Sequence, residues 1–274
     1  MTTAQKVIKY LAIAFAIFLI VTIISSILTG LFVLSGILGL KKHSESELPS
    51  GEMIATNLEN GDITTLEIDL AFTNLTIKTG ESIKTDTDNS NITCKIENKN
   101  LQIKEKNQKW FSNHEKKELI LYLPDGIEFE KVKIATGAGK IDIESLNTQK
   151  LTFELGAGET EIQNLKITKE CKINGGAGKM SIFAGAINDL DLDMGVGEVN
   201  VTAILNGKSK IDAGVGNLNI NLQGEKDSYK IQADKGLGSI KIDRKEITDG
   251  EIFGDGENYI EVDGGVGNID IDFK

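Results

Sequence analysis

Seven copies of one short pattern dominate the second half of the chain. Each reads Gly-x-Gly, a polar residue, then apolar-polar-apolar: GAGKIDI (137–143), GAGETEI (156–162), GAGKMSI (176–182), GVGEVNV (195–201), GVGNLNI (214–220), GLGSIKI (236–242) and GVGNIDI (265–271). Successive copies start 19, 20, 19, 19, 22 and 29 residues apart. A period of this length marks a repeat architecture, in which each copy is one structural unit and neighbours bury a shared core. The paired glycines Gly137 and Gly139, Gly156 and Gly158, Gly176 and Gly178, Gly195 and Gly197, Gly214 and Gly216, Gly236 and Gly238, and Gly265 and Gly267 are the candidate structural residues of the repeat.

Alternating runs flank each copy. LDLDM precedes Gly195, SKIDA precedes Gly214 and YIEVDG precedes Gly265. Alternation at period two, rich in Ile and Val, predicts short half-buried strands and leaves no segment of helix length. The apolar parity changes across the glycines: Leu190, Leu192 and Met194 share one phase, Val199 and Val201 the other. A one-residue slip exchanges the faces of a strand, so the chain turns a corner or bulges there. The middle residues Ala138, Ala157, Ala177, Val196, Val215, Leu237 and Val266 are all apolar and are expected to point into the core.

Two all-β architectures fit, a parallel β-solenoid and an antiparallel meander of Gly-x-Gly hairpins. Two ladders favour the solenoid, where equivalent residues stack about 4.8 Å apart. One is Ile143, Ile162, Ile182, Val201, Ile220, Ile242 and Ile271; the other alternates in charge through Lys140, Glu159, Lys179 and Glu198. Residues 52–136 carry the same chemistry less regularly and are expected to be an irregular N-terminal part or cap on the seven-repeat solenoid of 137–274. LEIDLAFTNLTI (66–77) reads as a worn copy with Ala71 and Thr73 at the glycine positions. A hairpin is expected around Asn98–Asn100 and a turn at Pro124-Asp125-Gly126.

The N-terminus is of a different kind. Tyr10 to Leu40 is a charge-free run of 31 residues, and about 20 apolar residues cross a bilayer as a helix. The run is longer than the apolar region of a signal peptide, and no Ala-x-Ala site follows it. Residues 1–42 are therefore expected to be a single-pass anchor that places residues 10–40 in the lipid bilayer, and the polar segment 43–51 a linker. Lys6 and Lys9 precede the span and Lys41 and Lys42 follow it; this near-tied count leans towards an extracellular C-terminal domain on a cell membrane.

Charge and composition exclude several functions. Residues 43–274 hold 26 basic and 41 acidic side chains, a net of −15, and the chain has one arginine, Arg244. Neutralising phosphates requires a basic face, so no nucleic-acid partner is expected. Two cysteines (Cys94, Cys171) and two histidines (His43, His114) make no metal-ligand array. The Gly-x-Gly copies open strands, and GAGK is followed by Ile141 or Met180, so neither nucleotide-binding loop is matched. Met180 and Ile269 stand where calcium-binding nonapeptide repeats require aspartate. Asp142, Glu161, Asp191, Asp193 and Asp270 alternate with apolar residues like a solvated face, not a glycosidase pair. No catalytic residue, cofactor or metal site is expected. Cys171 reads as a buried hydrophobe, and Trp110-Phe111 as an end cap.

The anchor, the LEIDLAFTNLTI opening, LYLPDG (121–126) and the GxGxΦxΦ repeats together resemble the bacterial putative-adhesin β-strand-repeat family, a domain of unknown function that includes LiaG-like cell-envelope proteins. The resemblance covers 52–274. It implies a membrane-anchored, surface-exposed β-repeat domain, sometimes linked to envelope-stress systems, and carries over no catalytic motif. Three readings follow: a non-enzymatic surface protein binding an envelope component or protein partner; an accessory of an envelope-stress system; or a bactofilin-like polymer on the cytoplasmic side. The chain's last repeat is expected to form an uncovered end, which invites end-to-end self-association.

Overall fold

The β-branched alternating runs fold as strands, and among the described residues no α-helix forms; one 3-10 turn spans Lys226–Ser228. The structure is a computed structural model describing residues 54–57, 63–106 and 117–274. The expected membrane span 10–40, the linker 43–51, His43, Trp110, Phe111 and His114 lie outside those residues. Among the described residues no helix is long and apolar enough to cross a membrane.

Each central repeat contributes three strand segments, and every segment pairs in parallel with its equivalents one repeat away. Leu190–Asp193 lies between residues 171–174 and 210–212. Val196–Asn206 lies between Ala177–Ile182 and Lys208–Leu222, with Gly178, Gly197 and Gly216 in register. Gly185–Asn188 lies between residues 165–167 and 204–206. The all-β chain thus stacks its repeats as rungs, and the hairpin meander is absent from this region.

In-register pairing aligns the apolar residues in buried columns. Ile162, Ile182, Val201, Ile220, Ile271 and Ile242 form one column and Ile173, Leu192, Ile211, Val262 and Ala233 another. All are buried in one continuous core. Burying one such aliphatic side chain stabilises by about 1.5–3 kcal/mol. Cys171 is fully buried in this core, and both cysteines are free thiols.

The order of the rungs departs from the order of the chain at both ends. Strand Asn258–Phe273, which carries the seventh repeat, pairs with the fifth repeat along Lys208–Leu222. Its other edge pairs with Tyr229–Asp234 and Ile240–Ile242 of the sixth. The uncovered last strand expected from the sequence is therefore an interior strand. The sixth repeat is outermost, and its edge is covered by antiparallel pairing with Lys245–Glu246 and Ile252–Phe253. Phe253 stacks on Phe273 at 5.6 Å, under the Lys226 ammonium.

The other end is built likewise. The worn copy forms strands Thr65–Leu70 and Asn74–Gly80, which pair in parallel with residues 131–136 and 141–143 of the first repeat. Beyond it lie Asn100–Glu105 and Glu118–Pro124, again parallel. The edge closes with antiparallel strands: Ile92–Glu97 on one face, Lys84–Thr87 and Ile54–Asn57 on another. Asn98 and Lys99 take positive φ in the Ile92–Glu105 hairpin, as a two-residue turn requires.

Candidate functional site

The paired glycines hold the corner between two strand faces. A Cβ on Gly197 would collide with the carbonyl oxygen of Gly178, and one on Gly216 with that of Gly197. The second glycine of each pair has φ between 138° and 154°, a region closed to L side chains. The corner therefore brings bare backbone against bare backbone, and hydrogen bonds such as Val196 N–H to Gly176 C=O (2.8 Å) and Val215 N–H to Gly195 C=O (2.9 Å) link the rungs.

The middle residues do not point into the core, contrary to the sequence expectation. Val196 is 50% exposed, Leu237 40% and Val266 38%. Alternating parity holds only along a flat strand, whereas the chain swings outward between buried Met194 and buried Val199. At that convex corner the middle side chain sits outside. Register places these residues in one surface row: Ala157, Ala177, Val196, Val215, Val266, Leu237. Ala138 precedes them, next to Ala71 of the worn copy, whose carbonyl accepts its N–H at 2.8 Å. Glycines flank the row on both sides, so it stands as a low apolar ridge bordered by bare backbone.

An acidic row runs beside the ridge. The residue two before the first glycine is Asp193, Asp212, Asp263 and Asp234 in four neighbouring rungs, and register places each directly beside the next. Among the described residues none of the four forms an ion pair. Partial burial, then the charges of Asp193 and Asp263, raise the Asp212 carboxyl above its ordinary range, against a smaller opposing effect of Lys210.

Several other charges nearby are neutralised across rungs. Lys133 meets Glu154 at 2.9 Å, Lys150 meets Glu170 at 2.9 Å and Lys172 meets Asp191 at 3.6 Å. Beyond the ridge Lys140 reaches Glu161 at 3.1 Å and Glu159 at 3.9 Å, and Lys179 reaches Glu198 at 3.7 Å. Further along, the charges give way to amides, where Asn219 donates to Asn200 at 2.8 Å.

Among the described residues no other cluster suggests chemistry. Among the described residues no three His, Cys, Asp or Glu side chains converge to hold a metal ion. Burial pushes the Cys171 thiol far up, and burial raises Cys94 against a weaker Thr85 hydrogen bond; neither is an activated nucleophile.

A family match covers residues 49–252, from the linker through the covering strand of the sixth repeat. The chain belongs to the Toastrack DUF4097 family. The Toastrack match ends before the interior strand Asn258–Phe273, although that strand completes the stack. Solved structures to which the chain is similar include a putative cell adhesion protein from Clostridium sporogenes, at 19% identity and TM-score 0.34 over 81% of this chain and 99% of that one. A putative adhesin from Bacteroides fragilis matches at 15% identity and TM-score 0.41, over 81% of this chain and 98% of that one. One from Parabacteroides merdae matches at 15% and 0.30, over 81% and 96%. Among curated proteins none matches this Toastrack chain.

Proposed function

We propose that the protein is a non-enzymatic binding or scaffolding protein of the bacterial cell envelope. A single helix within residues 10–40 anchors it in the membrane and holds residues 43–274 outside as a parallel β-solenoid. The observation that carries this reading is the glycine-flanked apolar ridge. A soluble domain normally keeps such contiguous apolar surface only where something binds it. The family match and the charge-free 31-residue N-terminal run support the architecture.

Two measurements on intact cells test it. Added protease is expected to remove the domain, and a photo-crosslinking residue at Val215 to give discrete adducts that one at Gln163, exposed on another face, does not. Full protection from protease, or equal adducts at both positions, overturns the reading.

A further inference from the structure

Resting on that reading of the ridge as a binding face, we propose that its partner is a cationic amphipathic helix. The helix lays its apolar side chains on Val196, Val215, Val266 and Leu237 and its basic side chains along Asp193, Asp212, Asp263 and Asp234. The ridge alone would accept any apolar surface; the charge beside it selects the occupant.

Like charges directly opposite one another destabilise a sheet. Elsewhere on these faces the rungs avoid that cost by pairing Lys with Glu or Asp. At the four positions of the acidic row they do not, and in the same rungs the middle residue is Val or Leu in place of Ala. Unpaired acid and larger exposed apolar side chains thus coincide in one stretch, and both are relieved by a single ligand that is apolar on one side and basic on the other.

Spacing selects the helix. Rungs repeat at about 4.8 Å, close to the 5.4 Å turn of an α-helix. Same-face side chains of an extended strand recur only every 6.8 Å or so, out of step with each rung. Four rungs span roughly 14 Å, so about three helical turns cover them. A second copy of this chain is a poor occupant, because it would bring one acidic row and the −15 net charge of residues 43–274 against another.

The test uses the full-length chain and fluorescence anisotropy with three labelled 14-residue probes. One is a Leu/Lys peptide with Leu at i, i+3, i+4 and i+7; one is the same composition in scrambled order; one is oligolysine of equal charge. The amphipathic probe is expected to bind at least tenfold more tightly than either other. Asp212→Asn with Asp263→Asn, and separately Val196→Ser with Val266→Ser, are expected to weaken it at least tenfold. The charge-matched pair Asp142→Asn with Glu161→Gln should leave it within twofold. Circular dichroism melts verify that each variant folds. The proposal is overturned if oligolysine binds equally well, if the control pair weakens binding as much as the acidic-row pair, or if neither site variant matters. It is also overturned if sedimentation shows a dimer that the serine variant dissolves, since the ridge then serves a second copy. Crosslinks from Val215 in cells without probe binding would leave the surface-binding reading standing and remove the helix.

Discussion

At the scale of single residues, the corner glycines are fixed by space and by backbone angle together. Gly197→Ala or Gly216→Ala drives a methyl group into a neighbouring carbonyl at a φ of 141° or 138°. Each is expected to cost about 3 kcal/mol or more in chemical denaturation. Gly126, at φ 72° with nothing within 4 Å of a built Cβ, isolates the angular term; Gly126→Ala should cost about 1 kcal/mol. Asp212 behaves in the opposite sense. Its carboxyl titrates higher in the folded chain than in the unfolded one, so its favourable contribution is fullest below the unfolded value near 3.9 and is lost as pH rises through the folded value. Asp212→Asn should therefore raise stability at pH 7, by at most about 1 kcal/mol given its exposure, and confer no advantage below about pH 3.5. Melts at the two pH values check this. The glycines were legible from spacing alone, because nothing else recurs so strictly. The outward turn of Val196 was not, since alternation reports faces only while a strand stays straight.

At the scale of elements, the end rungs show how a broken repeat is completed. The worn copy has Ala71 and Thr73 where later repeats have glycine, and no further Gly-x-Gly rung lies beyond it. Glu105 supplies what that rung would have supplied. One of its carboxylate oxygens accepts the N–H groups of Ala71 (2.7 Å), Phe72 (3.0 Å) and Thr73 (3.3 Å). The other accepts from the Asn89 amide at 3.0 Å, and that amide also donates to the Thr73 hydroxyl at 2.7 Å. Glu105→Ala is expected to cost about 1–3 kcal/mol by leaving these donors unpaired, and hydrogen exchange should speed at Ala71–Thr73 before it does at Val201 or Ile220. The neighbouring hairpin and the Pro124 turn could be read from local residue types, because their geometry is decided within four residues. Glu105 could not, because its backbone partners Ala71, Phe72 and Thr73 lie more than 30 residues away. The acidic row lay between these cases. Asp recurs two places before the first glycine in the last four repeats, yet only the stacking order reveals that the four carboxylates are neighbours.

At the scale of the whole molecule, repeat period predicted parallel rungs but not their sequence along the axis. Period fixes what each rung looks like and says nothing about which rung lies beside which. The longer intervals of 22 and 29 residues flanking the sixth repeat mark the place where order is exchanged. Asn258–Phe273 contacts strands on both of its edges. Removing residues 258–274 is therefore expected to abolish the cooperative thermal transition followed by circular dichroism, where removal of an outer rung would only fray an end. The same placement has a consequence for biosynthesis. Among the described strands the sixth repeat pairs with the stack only through this later-made strand, so the stack cannot be completed progressively as the chain emerges. A chain terminated before Asn258 would leave the outer edge of Lys208–Leu222 unpaired and the sixth repeat undocked, exposing strand edges of the kind that invite aggregation. The interleaved strand thus acts as a checkpoint on chain length, passed only by molecules translated through Phe273.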